Sequence, residues 1–81
     1  MERKNILVLF GGGGSEHDVS KISAKYIFEQ LAQTETYNPI TVEITKEGHW
    51  LNENRKCSLN GKILKTPTEQ PYIDYVVPCI H

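Results

Sequence analysis

The most continuous apolar runs of the chain lie near its two ends. The first covers Asn5 to Phe10, and the second covers Tyr72 to Ile80, with Tyr75 to Cys79 as its most apolar part. A continuous apolar run of this length is typical of a strand buried on both faces of a parallel sheet. Pro78 is compatible with a strand because it lies near the end of the run. We therefore predict two parallel strands at the centre of a sheet.

The first run ends in four glycines, and a helical pattern follows them. Ser15 and Asp18 form a pair that resembles a capping box, which predicts a helix starting near Ser15 and reaching about Gln33. Apolar residues then recur at helical spacing, and we expect this face to cover the sheet. Its members are Val19, Ile22, Tyr26, Ile27 and Leu31.

The middle of the chain has the alternating pattern of strands. Thr34 to Asn38 is polar and predicts a turn, and Pro39 to Thr45 alternates with β-branched residues and predicts a second strand. Gly48 to Leu51 is compatible with a short strand. These segments continue the sheet beyond the helix.

A β-hairpin is predicted after this strand. Asn60-Gly61 is a strong two-residue hairpin signal, and it separates Cys57 to Leu59 from Lys62 to Leu64. Thr66 to Pro71 has two prolines and no periodicity, which indicates a surface connection. The hairpin therefore occupies the place of a second helix.

Together these elements predict one α/β domain over residues 1–81, a small Rossmann-like domain with an inserted β-hairpin. A right-handed crossover joins the first two strands, and the last strand on the other side of the first gives the order 2-1-3. Ligands bind beyond the carboxyl ends of such strands, where the order reverses. Gly11 to Glu16 and His81 should converge there.

Composition excludes several functional classes. Nine basic and ten acidic side chains give a net charge of −1, so nucleic acid and anionic membranes are not expected partners. The apolar run before the glycines is too short for a signal peptide or a membrane span, and a cytoplasmic protein is expected. Cys57 and Cys79 are far apart in sequence, which favours two reduced structural thiols over a disulfide or a metal site. His17 and His49 have no evident partners and are expected on the surface.

The glycine turn at Gly11 to Gly14 suggests a binding site of unusual charge. A turn before a helix usually binds anions, because free N–H groups and the helix dipole face it. Here Glu16 occupies this place, which suits an ammonium group better than a phosphate. The fingerprint G-x-G-x-x-G fails at Glu16 or His17, depending on the starting glycine, and a P-loop ending is absent. Two alternatives remain: the glycines merely permit a tight turn, or Glu16 faces away and the turn binds a nucleotide or flavin phosphate.

Three blocks of sequence resemble one enzyme family, the D-alanine-D-alanine ligases. Gly11 to Ser20 (GGGGSEHDVS), followed by Ser23-Ala24, resembles their signature G-G-x-S-x-E-x-E-V-S, although Gly14 stands where the family usually has serine. Ile44 to Trp50 (ITKEGHW) resembles an I-x-K-x-G-x-W stretch of one subgroup. Ile73 to His81 is similar to the strand that leads to the family's His-Gly motif.

The resemblance implies an N-terminal, substrate-binding domain of the pre-ATP-grasp type. In this family the residue matching Glu16 contacts the ammonium of the first D-alanine, and the one matching His81 helps to hold that substrate. The residues matching Val19 and Ser20 line the same helical turn and are expected to belong to the substrate-binding site. ATP and Mg²⁺ would be bound by central and C-terminal ATP-grasp domains, so this chain alone should bind neither and be inactive.

The implied reaction makes the D-Ala-D-Ala dipeptide for peptidoglycan in the cytoplasm, and the family is typically dimeric. The N-terminal domain of another ATP-grasp enzyme, such as a D-alanine-D-lactate ligase, fits these residues equally well. The residues that select the second substrate lie outside this chain.

Overall fold

A computed structural model of the chain describes residues 3–12 and 17–80. Within these residues the chain forms one helix and seven strands, in an α/β fold. The strands and the helix are β1 (Lys4–Gly11), α1 (His17–Ala32), β2 (Tyr37–Ile44), β3 (Trp50–Asn52), β4 (Arg55–Lys56), β5 (Ser58–Asn60), β6 (Ile63–Lys65) and β7 (Tyr75–Ile80). No helix among the described residues is long and apolar enough to cross a membrane.

Five strands form the main sheet, in the order β4-β3-β2-β1-β7. β1 pairs in parallel with β2 on one side and with β7 on the other, so these three strands end at the same edge of the sheet. At that edge Gly11 is in register with Ile44 and with Ile80. The parallel pairing of β1 with β7 agrees with the sequence prediction.

The prediction that both apolar runs lie at the sheet centre is wrong for the second run. β1 lies between two strands, whereas β7 is the edge strand of the described sheet. Tyr75 and Val76 remain exposed, at 56% and 46%, because no described strand covers the outer side of β7. Pro78 fits this position, since an edge strand can lack one ladder donor.

β1 is continuously apolar because both of its faces are buried. Ile6 and Val8 pack with Ala24 of α1 and with Cys79 of β7 on one face. Leu7 packs on the other face, in a cluster of buried residues that also contains Val42, Leu64 and Ile73. We call this cluster the hairpin-side cluster. The alternation of the strand thus divides a single apolar run between a helix side and a hairpin side.

The predicted buried face of α1 is wrong in three of its five members. Ile22 and Tyr26 are 71% and 64% exposed, and Val19 is also exposed. The face that contacts the sheet contains Ser20, Ala24, Ile27 and Leu31. Their spacing of four, three and four residues is a regular helical stripe, and it was overlooked because its first two members are small.

The strand β2 begins earlier than predicted, and β7 begins later. α1 ends at Ala32, two residues before Thr34, and the Tyr37 N–H donates to the Thr34 hydroxyl at 3.1 Å. Tyr37 is already the first residue of β2. At the other boundary, Asp74 exchanges two bonds with Asn5: the Asn5 N–H donates to Asp74 Oδ2 at 2.8 Å, and the Asp74 N–H donates to the Asn5 carbonyl at 2.9 Å. Tyr72 makes only an isolated bridge, to Ile63.

The hairpin of β5 and β6 exists, but its turn is displaced by one residue. Asn60 pairs with Ile63, so the loop consists of Gly61 and Lys62 instead of Asn60 and Gly61. Only the first of these two has positive φ, at 62°, which is the pattern of a type II′ turn with glycine at its first central position. The hairpin covers the sheet face opposite α1 through Leu64 and Leu59.

A second hairpin, between β3 and β4, was not predicted. Asn52 pairs with Arg55, and the loop residues Glu53 and Asn54 have φ values of 51° and 66°. Two consecutive positive φ values correspond to a type I′ turn, which usually carries Asn-Gly or a similar pair. Glu53-Asn54 lacks this signal, so the turn has no local sequence pattern that indicates it.

Candidate functional site

The three parallel strands and the helix converge at one edge of the domain. We call this edge the site rim and define it by Gly11 and Gly12, by Ile44 and Ile80 at the ends of β2 and β7, and by the first turn of α1, residues 17–20. The carboxyl ends of parallel strands are the usual binding edge of open α/β sheets. The rim is therefore the place at which the fold is best suited to bind a small ligand.

The backbone at the start of the glycine turn requires glycine. Gly11 and Gly12 have φ values of 100° and 94°, a region that residues with a side chain rarely adopt. The Gly12 N–H donates to the Ile44 carbonyl at 2.7 Å. These two glycines thus have a conformational role, which exists whether or not the turn also contacts a ligand.

Ser20 connects three elements at the rim. The Gly11 N–H donates to the Ser20 hydroxyl oxygen at 2.8 Å, and the hydroxyl in turn donates to the Cys79 carbonyl. The Ser20 side chain is 0% exposed. This hydroxyl is engaged with the ends of β1 and β7 and has no surface that a ligand could reach in this structure.

Val19 has the opposite environment, although it is the neighbouring residue. It lies on the first turn of α1 and is 50% exposed. An apolar side chain that is half exposed at a binding edge can line a pocket for a small substrate. Its place at the rim is compatible with the predicted contact.

The other predicted site residues lie outside the described residues. These are Gly13, Gly14, Glu16 and His81, together with the predicted helix cap Ser15. Their proposed roles therefore remain predictions. The described backbone leads to them from two neighbouring points, since Gly12 follows β1 and Ile80 ends β7 in register with Gly11.

The remaining candidates, His49 and Trp50, lie beside the Ile44 end of the rim, since Trp50 pairs with Ile44. His49 is exposed, and its N–H donates to the Thr45 hydroxyl at 3.0 Å in the loop before β3. Trp50 is half-buried and packs against the hairpin-side cluster. Within the described part of the chain, no group of three or more His, Cys, Asp or Glu residues could hold a metal ion.

Both cysteines are free thiols with apolar surroundings. Cys79 is buried beside Ile6 and Val8, and Cys57 is half-buried near the hairpin-side cluster. Burial raises the pKa of both thiols, because a low-polarity environment disfavours the thiolate. Neither environment has the character of a reactive cysteine site.

A cleft of about 250 Å³ lies between α1 and the sheet, and it contains none of the predicted site residues. Its volume is below the range of about 300 to 1,000 Å³ that is usual for ligand pockets. It is lined by Phe10, Lys21, Ala24, Lys25, Phe28 and Thr41. Its walls offer two lysines and no carboxylate, so they provide no anionic partner for an ammonium group.

Comparison with known proteins identifies relatives over nearly the whole chain. The family model described as the D-ala D-ala ligase N-terminus matches residues 5–81. A D-alanine-D-alanine ligase from Vibrio atlanticus is 43% identical over 83 residues, which cover all of this chain and 25% of that protein.

Two solved structures share the fold. The D-alanyl-alanine synthetase A from Vibrio cholerae superposes with a TM-score of 0.90 at 42% identity, covering 100% of this chain and 25% of that one. The D-alanine-D-alanine ligase from Aeromonas hydrophila has a TM-score of 0.86 at 40% identity, covering 98% of this chain and 30% of that one. The chain thus spans about a quarter of the length of the curated relatives.

Proposed function

Because this chain belongs to the D-ala D-ala ligase N-terminus family, we propose that it is the domain that binds the first D-alanine in an ATP-dependent D-alanine-D-alanine ligase. The observation that carries the proposal is the match of residues 5–81 to that family model. The site rim supports it, since the predicted contact residues follow directly from the described ends of β1 and β7 and from the first turn of α1.

The chemistry of the rim favours an ammonium ligand over a phosphate. In the sequence, Glu16 immediately precedes the first residue of α1, His17. A helix N-terminus ordinarily attracts anions, and a carboxylate there supplies the negative charge that a cationic group requires. We propose that Glu16 binds the ammonium of D-alanine, with Val19 and His81 completing the pocket.

In the complete ligase, this anchoring would direct the substrate carboxylate at ATP. A carboxylate oxygen attacks the γ-phosphorus and ADP leaves, which gives an acyl phosphate. The amine of a second D-alanine then attacks the acyl carbon, phosphate leaves, and the amine loses a proton. Fixing the first substrate contributes to the rate by proximity, which is worth up to several kcal/mol in well-oriented reactions.

ATP and Mg²⁺ are proposed to bind to the part of the relatives that this chain does not span. Mg²⁺ would neutralise charge on the phosphates, and its usual ligands are carboxylates together with the phosphates themselves. We therefore propose that residues 1–81 contribute substrate positioning and that the partner domains contribute phosphoryl transfer.

The proposal is tested by a domain graft. Residues 1–81 replace the matching N-terminal quarter of the Vibrio cholerae enzyme, with which they share 42% identity. We expect the graft to form D-Ala-D-Ala and to release phosphate when D-alanine, ATP and Mg²⁺ are all present. Residues 1–81 alone should release no phosphate above a protein-free control. A folded graft that makes no dipeptide would contradict the proposal.

A further inference from the structure

Ser20 is the buried polar side chain of the described domain, and it lies at the site rim. A buried hydroxyl is costly unless it is hydrogen-bonded, and this one is bonded as acceptor to Gly11 and as donor to Cys79. Serine inside a helix commonly donates to a carbonyl one turn earlier in the same helix. Ser20 instead donates to a strand 59 residues further along the chain.

The hydroxyl lies between two main-chain groups that face each other in the sheet. Successive N–H groups of a strand point to opposite sides, and the Gly12 N–H points to β2, where it donates to the Ile44 carbonyl. The Gly11 N–H therefore points to β7, with which Gly11 is paired through Ile80. It meets the Ser20 hydroxyl there, and the same hydroxyl reaches the carbonyl of Cys79, which precedes Ile80.

We propose that Ser20 is a positioning residue whose hydroxyl is inserted between the carboxyl ends of β1 and β7, and so sets the spacing between the glycine turn and the end of β7. The spacing matters because the proposed contacts with D-alanine come from both sides of this gap. The effect on D-alanine binding rests on the proposed function, whereas the position of the Ser20 hydroxyl between β1 and β7 does not.

Replacing Ser20 by alanine removes the spacer without adding bulk. The Gly11 N–H and the Cys79 carbonyl must then either bond directly, which narrows the gap, or remain without their partner. Direct bonding shifts the two sides of the pocket relative to each other, and groups left without a partner no longer hold them at a fixed spacing. A shift of about 1 Å in substrate-positioning groups can reduce the rate on the order of 100-fold.

Thr34 provides a matched control at the other end of the same helix. Its hydroxyl also joins two main-chain groups, since it donates to the Leu31 carbonyl at 2.7 Å and accepts from the Tyr37 N–H at 3.1 Å. Tyr37 begins β2, so this pair of bonds lies at the amino ends of the strands, away from the site rim. Thr34→Val replaces the hydroxyl with a methyl group and keeps the shape of the side chain.

The test measures both variants in the grafted enzyme. We expect Ser20→Ala to raise the KM for D-alanine at the first site by on the order of 10-fold to 100-fold, with the KM for ATP unchanged. Thr34→Val should lower the melting temperature and leave both KM values within about twofold of the parent. If Ser20→Ala lowered only the melting temperature, as the control does, Ser20 would be merely structural and the inference would be overturned.

A second measurement separates this inference from the proposed function. Hydrogen exchange followed by mass spectrometry measures the exchange rates of the backbone amides in residues 9–12 and 77–80 of the same grafts, whether or not the graft is active. Faster or slower exchange confined to these two segments in Ser20→Ala supports the spacer geometry, and unchanged exchange contradicts it. A graft without ligase activity would overturn the proposed function and leave this geometric result standing.

Discussion

At the scale of single residues, the neighbours Val19 and Ser20 have contrasting environments. Val19 is exposed and Ser20 is buried, although the family resemblance implies that both belong to the substrate-binding site. A helix turns by about 100° per residue, so adjacent positions cannot face the same pocket equally. The contrast is why we propose direct contact for Val19 and an indirect role for Ser20.

The two thiols give a residue-scale prediction with a defined pH dependence. Burial raises the pKa of Cys57 and Cys79 in the folded state, so the folded protein retains its thiol protons at a pH where the unfolded chain has lost them. The free energy of unfolding should therefore be unaffected by these groups below the unfolded thiol pKa, and should decrease as the pH rises above it. Chemical denaturation at increasing alkaline pH measures this decrease.

Serine variants and a thiol reagent separate the contributions of the two cysteines to this pH dependence. Cys57→Ser leaves Cys79, which is buried, and Cys79→Ser leaves Cys57, which is half-buried. We expect the disulfide reagent DTNB to label Cys57 faster than Cys79, because Cys79 becomes accessible only when the sheet opens. Equal rates in folded protein, both as fast as in denaturant, would contradict the burial of these side chains.

At the scale of elements, the helix α1 presents two apolar stripes, and only one is buried. Ile27 packs against the core, whereas Ile22 is exposed. Ile22→Ala should change the free energy of unfolding by less than about 0.5 kcal/mol, as is usual for surface positions. Ile27→Ala should lower it by about 2 kcal/mol, near the low end for buried isoleucine because the side chain is only partly buried. Urea denaturation of the two variants compares them, and equal losses would contradict the orientation of the helix.

The turn between β3 and β4 gives a second element-scale prediction. Glu53 has a φ of 51°, which costs a residue with an ordinary side chain roughly 1 to 2 kcal/mol. The double change Glu53→Asn and Asn54→Gly introduces the preferred type I′ pair and should raise the free energy of unfolding by about 1 kcal/mol. Glu47→Asn is the control, since this exposed loop residue has no positive φ. A double variant no more stable than the control would contradict the turn assignment.

Sequence patterns predicted the strands and the helix of this domain better than their positions in the sheet and the turns between them. The apolar run of β1 indicates two-sided burial, because alternate residues such as Leu7 and Val8 contact different layers. The edge position of β7 was not predictable, since a continuous apolar run is compatible with either a central strand or an edge strand. The Glu53-Asn54 turn was missed for a related reason: its backbone conformation is imposed by the strand pairing and has no signal in the residue types.

The site was predictable only as far as the sequence contains a local signal. The glycine at position 11 indicates a backbone conformation that other residues rarely adopt, and the φ of 100° at Gly11 is such a conformation. The link from Ser20 to Cys79 joins residues 59 positions apart, so no local pattern could indicate it. Ser20 and Ala24, one helical turn apart on the sheet-facing stripe, were the available hint that small side chains pack closely there.

At the scale of the whole molecule, the described residues form one helix, a five-stranded sheet and a covering hairpin, with the site rim at one end of the sheet. The chain spans about a quarter of the ligases that it resembles, at 25% of the Vibrio atlanticus protein. We propose a division of labour in which the domain positions D-alanine and the other three quarters of the ligase bind ATP and Mg²⁺. In this division of labour, Glu16 is proposed to supply the charge that positions the substrate ammonium.

The kinetics of Glu16→Gln in the grafted ligase test this role of the Glu16 carboxylate. The change preserves shape and removes one partner of a charged contact, which costs on the order of 2 to 5 kcal/mol. We predict that kcat/KM for D-alanine falls at least on the order of 30-fold, while the melting temperature stays at that of the parent graft. Glu47→Gln, which removes an exposed carboxylate from a loop, is the control and should match the parent. A Glu16→Gln graft with kcat/KM within about twofold of the parent would contradict the account and reduce Glu16 to an acid that stabilises its own helix.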